Sequence, residues 1–414
     1  MEASATVPDS IPVPEPDLTP ADMIARARAL VPMLREQQDE AEERGHYSET
    51  VHEAFLKAGF SRTTQPRRFG GYEFGLRTFL ETMVIISTGD PGTGWCLTLG
   101  SSHAWLVASH FPEQAQAEMF GPDGDFRCPH PAAPTGEGRR VDGGYQVSGR
   151  WPYASGVPYA TWVFATGFIA GDDPPMPYVF AMPRSQVTVL DDWGARAGTV
   201  LGMHSSGSNT FVGEDVFVPE RFVVPFDWFE PKFPTPGLEL YGNPLYLGRA
   251  GGPYHTSLVV PVIGAARAAL DAFADHIREK PTTFQPQIPR YRFHEDQRAY
   301  GQAMAMTDAA ETILYGFADQ YQEALEQSVA RGEPVDVRQD ARWWALIQQA
   351  GGLAAGAVET LVHRATSSTS GRGERLGRYF RDVTMYRQHI SAQQGDFAVR
   401  NAAMYLGASD RWLF

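Results

Sequence analysis

The sequence predicts an α+β protein in which a helical N-terminal domain is followed by a central β-barrel-like domain and a C-terminal four-helix bundle. Three observations predict this order: helical periodicity in the first part, short β-type runs separated by Gly and Pro in the middle, and four long helical patterns at the end. These patterns divide the chain into a flexible arm, an N-terminal domain, a β domain, a connector and a bundle, at residues 1–18, 19–125, 126–224, 225–254 and 255–414.

The composition is that of a globular protein with an acidic surface. The 414 residues carry a net charge of -14, and 43% of them are hydrophobic. Nucleic acids and anionic membranes both attract basic surfaces, so this charge argues against either partner. Cys96 and Cys128 lack CxxC spacing, and the N-terminus lacks a cationic signal sequence, which indicates free thiols in a cytoplasmic protein. No stretch of about 18 charge-free apolar residues predicts a membrane span.

The N-terminal region begins with a Pro-rich acidic arm, either disordered or draped over the protein, and continues as helices. Thr19 is a suitable N-cap for a helix with Pro20 in its first turn, and Gly59 is a suitable C-terminal residue for the next. The last predicted helix is almost entirely apolar and contains His103, so this histidine is expected inside the protein. The helices are predicted from residue 20, at 48–58, at 76–87 and at 94–109.

Strand and bundle patterns make up the rest of the chain. The connector between them is rich in Pro, Phe and Tyr, which suggests an aromatic or polycyclic ligand. Small residues around Gly351 indicate close helix packing, within one subunit or between subunits. Strands are predicted at 145–147, 161–167, 178–182, 187–190 and 210–218, and bundle helices at 255–278, 293–331, 337–366 and 378–405.

The stretch S-G-R-W-P-Y-A-S-G at 148–156 combines aromatic rings, a hydroxyl and a tight turn. Trp151 and Tyr153 offer a flat wall, Ser155 a hydroxyl, and Gly156 a close backbone approach, which together suit a planar ring. A packed β-hairpin edge with a glycine turn explains the same residues, and the stretch alone does not decide between the two.

Five motifs spread over residues 20–410 are informative as a set. They are G-T-G-W-C at 92–96 with His103 eight positions after Trp95, P-T-G-E-G-R-R-V-D-G-G-Y-Q-V running into the stretch above, S-S-G-S-N-T-F-V-G-E-D-V-F-V-P-E at 205–220, I-G-A-A-R-A-A-L-D at 263–271, and Y-F-R-D at 379–382 followed by His389. As a set they resemble proteins of the acyl-CoA dehydrogenase fold. More narrowly, they resemble the oxygenase components of two-component, reduced-flavin-dependent monooxygenases, the group of p-hydroxyphenylacetate hydroxylase and the secosteroid phenol hydroxylase.

The chain departs from the acyl-CoA dehydrogenases where their chemistry needs a carboxylate base. The matching position, about His389 and Ile390, has no Glu, and the alternative position has Tyr254 or His255. The loop signature R-x-x-F-G of those enzymes is replaced by K-P-T-T-F-Q-P-Q at 280–287. These departures favour the oxygenases over fatty acyl dehydrogenation.

The resemblance implies hydroxylation of an aromatic substrate, phenolic or polycyclic, through a flavin C4a-hydroperoxide made from O2 and reduced FMN or reduced FAD. It implies that Ser155 lies near flavin N5 and the peroxide, and that His389 projects from the last helix to hydrogen-bond the peroxide or steer its proton. His103 would contact the substrate hydroxyl, as a hydrogen-bond partner or as a general base with a pKa near the operating pH. The other implied positions are Trp151, Tyr153, Gly156, Ser206, Ser208 and Asn209 at the flavin, and Trp95 and Tyr254 in the substrate pocket.

Structural explanations compete with these roles. His103 can be a core residue, His389 can face solvent, and residues 206–209 can be a plain turn. No metal site is expected, because the spacing of the remaining histidines to Cys or carboxylate residues is not that of a metal site. We therefore predict structural roles for His110, His130 and His294.

Four arginines near the end of the chain also have two explanations. Arg372, Arg375, Arg378 and Arg381 either neutralise a flavin phosphate, across a subunit interface, or pair with nearby acidic residues.

The sequence also indicates partners. G-D-P-G-T-G at 89–94 precedes an apolar helix without a preceding Rossmann strand, so no NAD(P)H site is predicted. A separate NAD(P)H:flavin reductase is therefore expected to supply reduced flavin, and the resemblance together with the small-residue helix faces implies a homotetramer. Nitrogen or sulfur oxygenation, an acyl-CoA dehydrogenase-like FAD enzyme and an inactive scaffold remain as alternatives.

Overall fold

The chain folds in the predicted order of helices, strands and helices. The structure, a computed structural model, describes residues 10–198, 200–371, 373–392 and 394–408. The helices are α1 (Pro20–Glu36), α2 (Gln38–Arg44), α3 (Glu49–Ala58), α4 (Leu76–Gly89), α5 (Pro91–Ser101), α6 (Ala104–His110), α7 (Glu113–Phe120), α8 (Pro236–Tyr241), α9 (Pro253–Glu279), α10 (His294–Arg331), α11 (Val337–Arg364), α12 (Arg375–Gln388) and α13 (Gln394–Tyr405). The strands are β1 (Gly136–Val141), β2 (Gly144–Trp151), β3 (Trp162–Ile169), β4 (Pro177–Pro183), β5 (Thr188–Val189), β6 (Phe211–Pro219) and β7 (Val223–Pro225).

The predicted arm is draped over the protein where it is described. Ile11 is buried and pairs with Phe69 in a β-bridge, and Arg26 holds Glu15 with contacts of 2.6 and 2.8 Å. Residues 10–18 are therefore not a free arm, while residues 1–9 lie outside the described residues.

The helix caps predicted in the N-terminal region are confirmed. The Thr19 side chain accepts from Asp22 N–H and the Asp22 carboxylate accepts from Thr19 N–H, which forms a capping box on α1. Ser48 caps α3, and Gly59 ends that helix with a φ of +79°. The prediction of one helix at 94–109 is wrong, since α5 ends at Ser101 and α6 begins at Ala104.

The central region is one seven-stranded sheet with the order β5-β6-β2-β1-β3-β4-β7. All neighbouring strands are antiparallel except β1 and β3, which are parallel. The prediction missed β7 and also β1, whose glycines disfavour a strand by propensity. Gly136 is needed there because a Cβ would lie 2.2 Å from the Trp151 ring.

The bundle is built around α9, which packs against α4, α10, α11 and α12. An 18-residue window of α9 has a mean hydropathy of 1.5, enough for a membrane span, but 89% of that window is buried inside the protein. The helix is therefore apolar all round because it forms the core. The predicted helix at 378–405 is instead two helices, α12 and α13, with His389 at the break.

Small residues in the bundle have different environments. A Cβ on Gly264 would lie 2.3 Å from Ser87 Cβ, and a Cβ on Gly351 would lie 2.0 Å from the Tyr386 hydroxyl. These two glycines therefore allow close packing within the subunit. Gly301 has no described atom within 4 Å of such a Cβ.

Candidate active site

A cluster of hydroxyls lies where α5 meets two loops of the β region. Trp95 Nε1 donates to Ser155 Oγ at 3.0 Å, and Ser155 Oγ lies 2.7 Å from Ser208 Oγ. Ser206 Oγ lies a further 2.6 Å from Ser208 Oγ. All four side chains are buried, and Ser206 is 0% exposed. The tertiary structure thus brings together four residues that the sequence analysis placed at the site.

Gly156 lets the loop after β2 reach α5. Its φ is +91°, which favours glycine, and a Cβ there would lie 2.8 Å from the carbonyl oxygen of Cys96. Its N–H also donates to the carbonyl oxygens of Ser206 and Gly207 at 3.2 and 3.1 Å. A side chain at position 156 would therefore push Ser155 away from both α5 and the second loop.

Trp151 lies in the core of the sheet and not on a pocket wall. Its side chain is 0% exposed, its ring stacks on Phe211 at 5.0 Å, and its Nε1 donates to the carbonyl oxygen of Thr166 at 2.9 Å. The ring has no exposed face for a flavin, contrary to the expected flavin contact. Trp151 instead anchors the loop that carries Ser155.

Tyr153 and Asn209 lie next to the cluster along the chain. Tyr153 is 63% exposed, and its ring edge contacts Trp193 at a centroid distance of 5.9 Å. Asn209 Nδ2 donates to the carbonyl oxygen of Leu190 at 2.9 Å, and the carbonyl oxygen of Asn209 accepts from Ala154 N–H at 3.2 Å. Asn209 thus ties the two loops together, and Tyr153 offers an exposed ring.

His389 lies at the break between α12 and α13, so it does not project from within a helix as expected. Its ψ is 143°, and its Nδ1 accepts from the N–H of Ser391 at 3.1 Å. Its ring contacts Trp95 edge-on at 5.9 Å. Burial lowers the pKa of His389 to about 4, so the ring is neutral at pH 7. Because Nδ1 accepts, the single ring proton of His389 is on Nε2.

His103 lies at the turn between α5 and α6 and is 3% exposed. Its Nδ1 lies 2.6 Å from the carbonyl oxygen of Cys128, an acceptor, so Nδ1 carries the ring proton and Nε2 carries the lone pair. Burial lowers the pKa of His103 to about 4. The expected pKa near the operating pH is therefore wrong, and the ring is a neutral acceptor at pH 7.

Tyr254, in the first turn of α9, extends the aromatic surroundings of His103. The centroids of the Tyr254 and His103 rings are 6.3 Å apart, and the Tyr254 hydroxyl lies 3.1 Å from His130 Nδ1. His130 Nε2 lies 2.8 Å from Thr166 Oγ1. The rings of His103 and His130 meet edge-on at 5.6 Å. His130, which was not predicted at the site, is therefore in contact with His103, and Thr166 lies on the other side of His130.

A buried charged cluster supports the loop that carries Ser206 and Ser208. Asp382 Oδ1 accepts from Met203 N–H at 2.6 Å, and Asp90 Oδ2 accepts from Ser205 Oγ at 2.6 Å. Burial raises the pKa of Asp382 to about 7 and also raises that of Asp90. Nothing in the sequence pattern indicated these long-range contacts, which join the loop to α12 and to the start of α5.

The arginines of α12 pair with acidic residues. Arg378 contacts Asp39 and Glu42, and Arg381 contacts Glu42 at 2.8 Å. Arg375 pairs with Asp275 at 3.1 Å, and Arg372 lies outside the described residues. The structure therefore favours acid pairing over a free phosphate site for the three described arginines.

The hydroxyl cluster has the chemistry that the polar edge of a flavin ring needs. That edge alternates carbonyl oxygens with ring nitrogens, and serine hydroxyls can both donate and accept. Thr98, one turn after Trp95 on α5, adds a buried hydroxyl with no hydrogen-bond partner among the described residues. The residues present therefore fit a flavin ring at Ser155 and Ser208, with Ser206 behind them.

A family model described as the acyl-CoA dehydrogenase C-terminal domain matches residues 256–394. The chain is 32% identical over 373 residues to the flavin-dependent monooxygenase, oxygenase subunit HsaA, of Rhodococcus jostii (strain RHA1). This alignment covers 88% of this chain and 93% of that protein. It is 29% identical over 303 residues to the FADH(2)-dependent resorcinol hydroxylase, oxygenase component, of Rhizobium sp. (strain MTP-10005), covering 70% of this chain and 71% of that protein.

A solved structure is similar over nearly the whole chain. The 3-HSA hydroxylase from Rhodococcus sp. RHA1 superposes with a TM-score of 0.84 at 29% identity, and the match covers 93% of this chain and 97% of that one. The similarity therefore includes the helical, sheet and bundle regions together.

Proposed function

Because the chain belongs to the oxygenase components of two-component flavin-dependent monooxygenases, we propose that it hydroxylates the ring of a phenolic substrate. The matches confirm the resemblance that the motifs indicated, including the acyl-CoA dehydrogenase fold. One observation carries the assignment of the site: Trp95 binds Ser155 through Nε1 at 3.0 Å while its ring contacts His389 at 5.9 Å. The same indole thus joins the hydroxyl cluster to a neutral histidine from the far end of the chain.

The reduced flavin, FMN or FAD, supplies the activated oxygen atom when it is bound together with O2. Ser155 already accepts the Trp95 N–H, so its own proton is available to Ser208 or to a ring nitrogen of the flavin. Gly156 leaves room for the backbone to approach, and the exposed ring of Tyr153 lies at the outer edge. Asn209 keeps its side-chain oxygen for a polar ligand group, since its Nδ2 is held by Leu190.

His389 acts as a hydrogen-bond donor in this proposal. The amide of Ser391 occupies Nδ1, so Nε2–H is the only ring group that can donate. The low pKa keeps the ring neutral, and a neutral donor can hold a proton near developing negative charge without releasing it to water.

His103 acts as the acceptor for the substrate hydroxyl. Its Nε2 lone pair can accept a hydrogen bond from a phenol O–H, which draws the proton away from the oxygen and makes the ring carbons more electron-rich. Trp95 and Tyr254 are proposed to line the substrate pocket. The aromatic rings near His103 and His130, including Phe164 and Trp228, exclude water from this side.

The partners follow from the same assignment. A separate NAD(P)H:flavin reductase is proposed as the source of reduced flavin. A homotetramer is proposed as the working form, supported by large exposed apolar side chains in the C-terminal region: Phe284, Ile390 and Leu406 are 85%, 70% and 82% exposed. Two buried free cysteines agree with a cytoplasmic location.

Oxygen transfer from labelled O2 tests the proposal. Purified protein is loaded anaerobically with reduced FMN or reduced FAD and mixed in a stopped-flow instrument with labelled O2 and a panel of phenols. We expect a transient near-ultraviolet absorbance before oxidised flavin appears, and a hydroxylated product that contains the label. Immediate oxidation of flavin without labelled product, or reduction of bound oxidised FAD by an acyl-CoA, would contradict the proposal.

A further inference from the structure

A small cavity lies where the connector meets the C-terminal end of α10. Trp228, Glu230 and Lys232 line it from the start of the connector, Arg249 lines it from the end of the connector, and Ser328 lines it from α10. The cavity is mostly enclosed and has room for a ligand of about the size of a water molecule. None of the residues of the hydroxyl cluster lines it, and neither do His103 and His389, so the proposed function gives this cavity no role.

The guanidinium of Arg249 has donors that no residue uses. The side chain is 5% exposed, and its Nε donates to Oδ2 of Asp340, a residue that does not line the cavity. Nη1 and Nη2 are buried and have no hydrogen-bond partner among the described residues. Of the five N–H groups of a guanidinium, only that of Nε is therefore used.

The indole of Trp228 adds another unused donor to the same cavity. Trp228 is 1% exposed, and its Nε1 has no partner within the part of the chain that the structure describes. The indole stacks on His110 at a centroid distance of 5.4 Å and an interplanar angle of 10°. Because the two rings are stacked, the in-plane N–H of the indole does not point at the imidazole.

These donors decide the chemistry of a ligand. A buried N–H without an acceptor costs free energy, and a water molecule accepts only two hydrogen bonds while it must donate two of its own. The carbonyl oxygen of Gly248 already accepts from His110 at 2.9 Å, and the hydroxyl of Ser328 donates to the carbonyl oxygen of Glu333. An anion only accepts, so a single anion satisfies several N–H groups of Arg249 and Trp228 at once.

The charges around the cavity favour a monovalent anion. Arg249 pairs with Asp340, and Lys232 pairs with Asp227, so the two cations are already matched by carboxylates. Glu230 is exposed, and water and salt therefore screen its carboxylate. A divalent anion such as sulfate is larger than the cavity and adds more negative charge than the unused donors compensate.

We propose that this cavity is a site for a small monovalent anion, chloride being the common one, held by Nη1 and Nη2 of Arg249 and by Nε1 of Trp228. The bound anion joins the two ends of the connector to each other beside α10, so it stabilises the folded chain. The ring of Trp228 also contacts His130 at a centroid distance of 5.5 Å. The anion therefore fixes one aromatic ring near the candidate substrate pocket without taking part in oxygen transfer.

Thermal unfolding tests the proposal. The full-length protein is heated in sodium chloride and, at equal ionic strength, in sodium gluconate, whose anion is too large for the cavity. An anion that binds only the folded state raises the Tm, by about 2 °C for a chain of this length when its concentration is about 30 times its Kd. We expect this difference between chloride and gluconate, and we expect bromide to act like chloride.

Crystals grown in bromide give the position of the anion directly. Bromide scatters X-rays anomalously near its absorption edge, and we expect an anomalous peak in the cavity, within hydrogen-bond distance of Arg249 and Trp228.

Matched variants separate this site from general effects of salt. Arg249→Met combined with Asp340→Asn removes the donors without leaving a buried charge unpaired, and it should abolish the difference between chloride and gluconate. Trp228→Phe keeps an aromatic ring without the N–H and should weaken chloride binding roughly tenfold. Arg290→Lys is the control, because Arg290 is also 5% exposed but uses Nε and Nη2 on Asp296, both at 2.9 Å. Its response to chloride should equal that of the wild type.

Three results would overturn the proposal: the same Tm in chloride and gluconate, an undiminished chloride effect in the double variant, or bromide crystals without a peak in the cavity. If the double variant does not fold, Trp228→Phe decides together with the bromide peak, and a chloride response of Trp228→Phe equal to that of the wild type counts against the site.

Discussion

His103 and His389 are both neutral histidines at the candidate site, yet the backbone prepares them for opposite tasks. Burial lowers the pKa of each ring to about 4. Nδ1 of His103 donates to the carbonyl oxygen of Cys128, so its Nε2 accepts, whereas Nδ1 of His389 accepts from the N–H of Ser391, so its Nε2 donates. The difference shows that the backbone partner of Nδ1, and not the residue type or the pKa, assigns the chemistry of each histidine.

The strongest test of this comparison is a pair of substitutions at His103. The amide of Asn reaches about as far as Nδ1 and keeps the bond to Cys128, but it has no group at the position of Nε2. We expect His103→Asn to lower product formation by roughly 10- to 100-fold, the value of a hydrogen bond to a group that develops charge, while flavin oxidation continues and H2O2 is released. Product and H2O2 are measured per flavin consumed.

His103→Gln is the partner variant, since its side-chain amide reaches the position of Nε2. It should recover part of the substrate affinity and part of the product formation lost in His103→Asn. Equal activity of His103→Asn and the wild type would show that His103 is only a core residue.

The same pair of substitutions at His389 should give the opposite pattern. Gln keeps an N–H at the position of Nε2, whereas Asn places its amide near Nδ1. We expect His389→Asn to shorten the near-ultraviolet transient by roughly tenfold, the value of a hydrogen bond to a charged group, and His389→Gln to stay closer to the wild type. Stopped-flow absorbance measures the lifetime. Indistinguishable lifetimes in all three proteins would show that His389 donates no hydrogen bond that stabilises the transient species.

Stability at acid pH tests whether both rings are neutral. The folded-state pKa of each ring is below the usual value of 6.5, so the unfolded state binds more protons between pH 6.5 and 4. The contribution of each neutral ring to the free energy of unfolding is complete above pH 6.5. It falls by about 1 kcal/mol per pH unit as the pH decreases from 6.5 to 4. Urea unfolding at several pH values measures the slope, and His103→Gln should make it shallower.

The smallest expected effect is that of Asp382→Asn, which should change flavin binding without changing phenol binding. Burial raises the folded-state pKa of Asp382 to about 7, so its contribution to stability is present at low pH and is lost as the pH rises towards 7. The charges around it come from Glu42 and Asp90, which oppose ionisation, and from Arg381, which favours it.

Because Asp382 holds Met203, ionisation acts on the loop of Ser206 and Ser208. In the wild type we expect the FMN affinity to change by about threefold between pH 6 and pH 8, and we expect Asp382→Asn to remove this change. Binding of a phenol such as para-nitrophenol, which serves as the control ligand, should be unaltered. Flavin fluorescence measures the affinity. A loss of phenol binding as large as any change in FMN binding would show that the proposed flavin site and the proposed phenol site are not independent.

Several residues of the candidate site could be predicted because their motifs are local, although their roles stay predictions. The Ser155 loop, the Ser206 loop and the His103 helix each carry their signal within a short stretch, and family resemblance joined them. His130 was predicted to be structural because it lacks the spacing of a metal site, and no pattern in the sequence shows that hydroxyls flank its ring. Trp151 was expected at the flavin but is buried in the sheet. The local sequence does not distinguish a buried ring from a ring on a pocket wall.

The two predicted helices that are interrupted in the structure, at 94–109 and 378–405, show a second limit of prediction from sequence. No Pro lies at the breaks at His103 and His389, and the apolar pattern runs through Gly100, so periodicity predicts continuous helices there. At each break the histidine side chain hydrogen-bonds a backbone group, the carbonyl of Cys128 for His103 and the N–H of Ser391 for His389. Only Ser391 is close in the sequence to its histidine, so the local pattern does not contain the contact of His103.

The sequence by itself determined the order of helices, sheet and bundle, the caps of the first helices and the short motifs that carry Trp95, Ser155 and Ser208. These depend on periodicity and on neighbours within a few residues, which the sequence contains. Tertiary structure alone decided which ring nitrogen of His103 and of His389 carries the proton, and that Thr166 lies against His130. Those properties depend on hydrogen bonds whose partners and geometry exist only after the chain has folded.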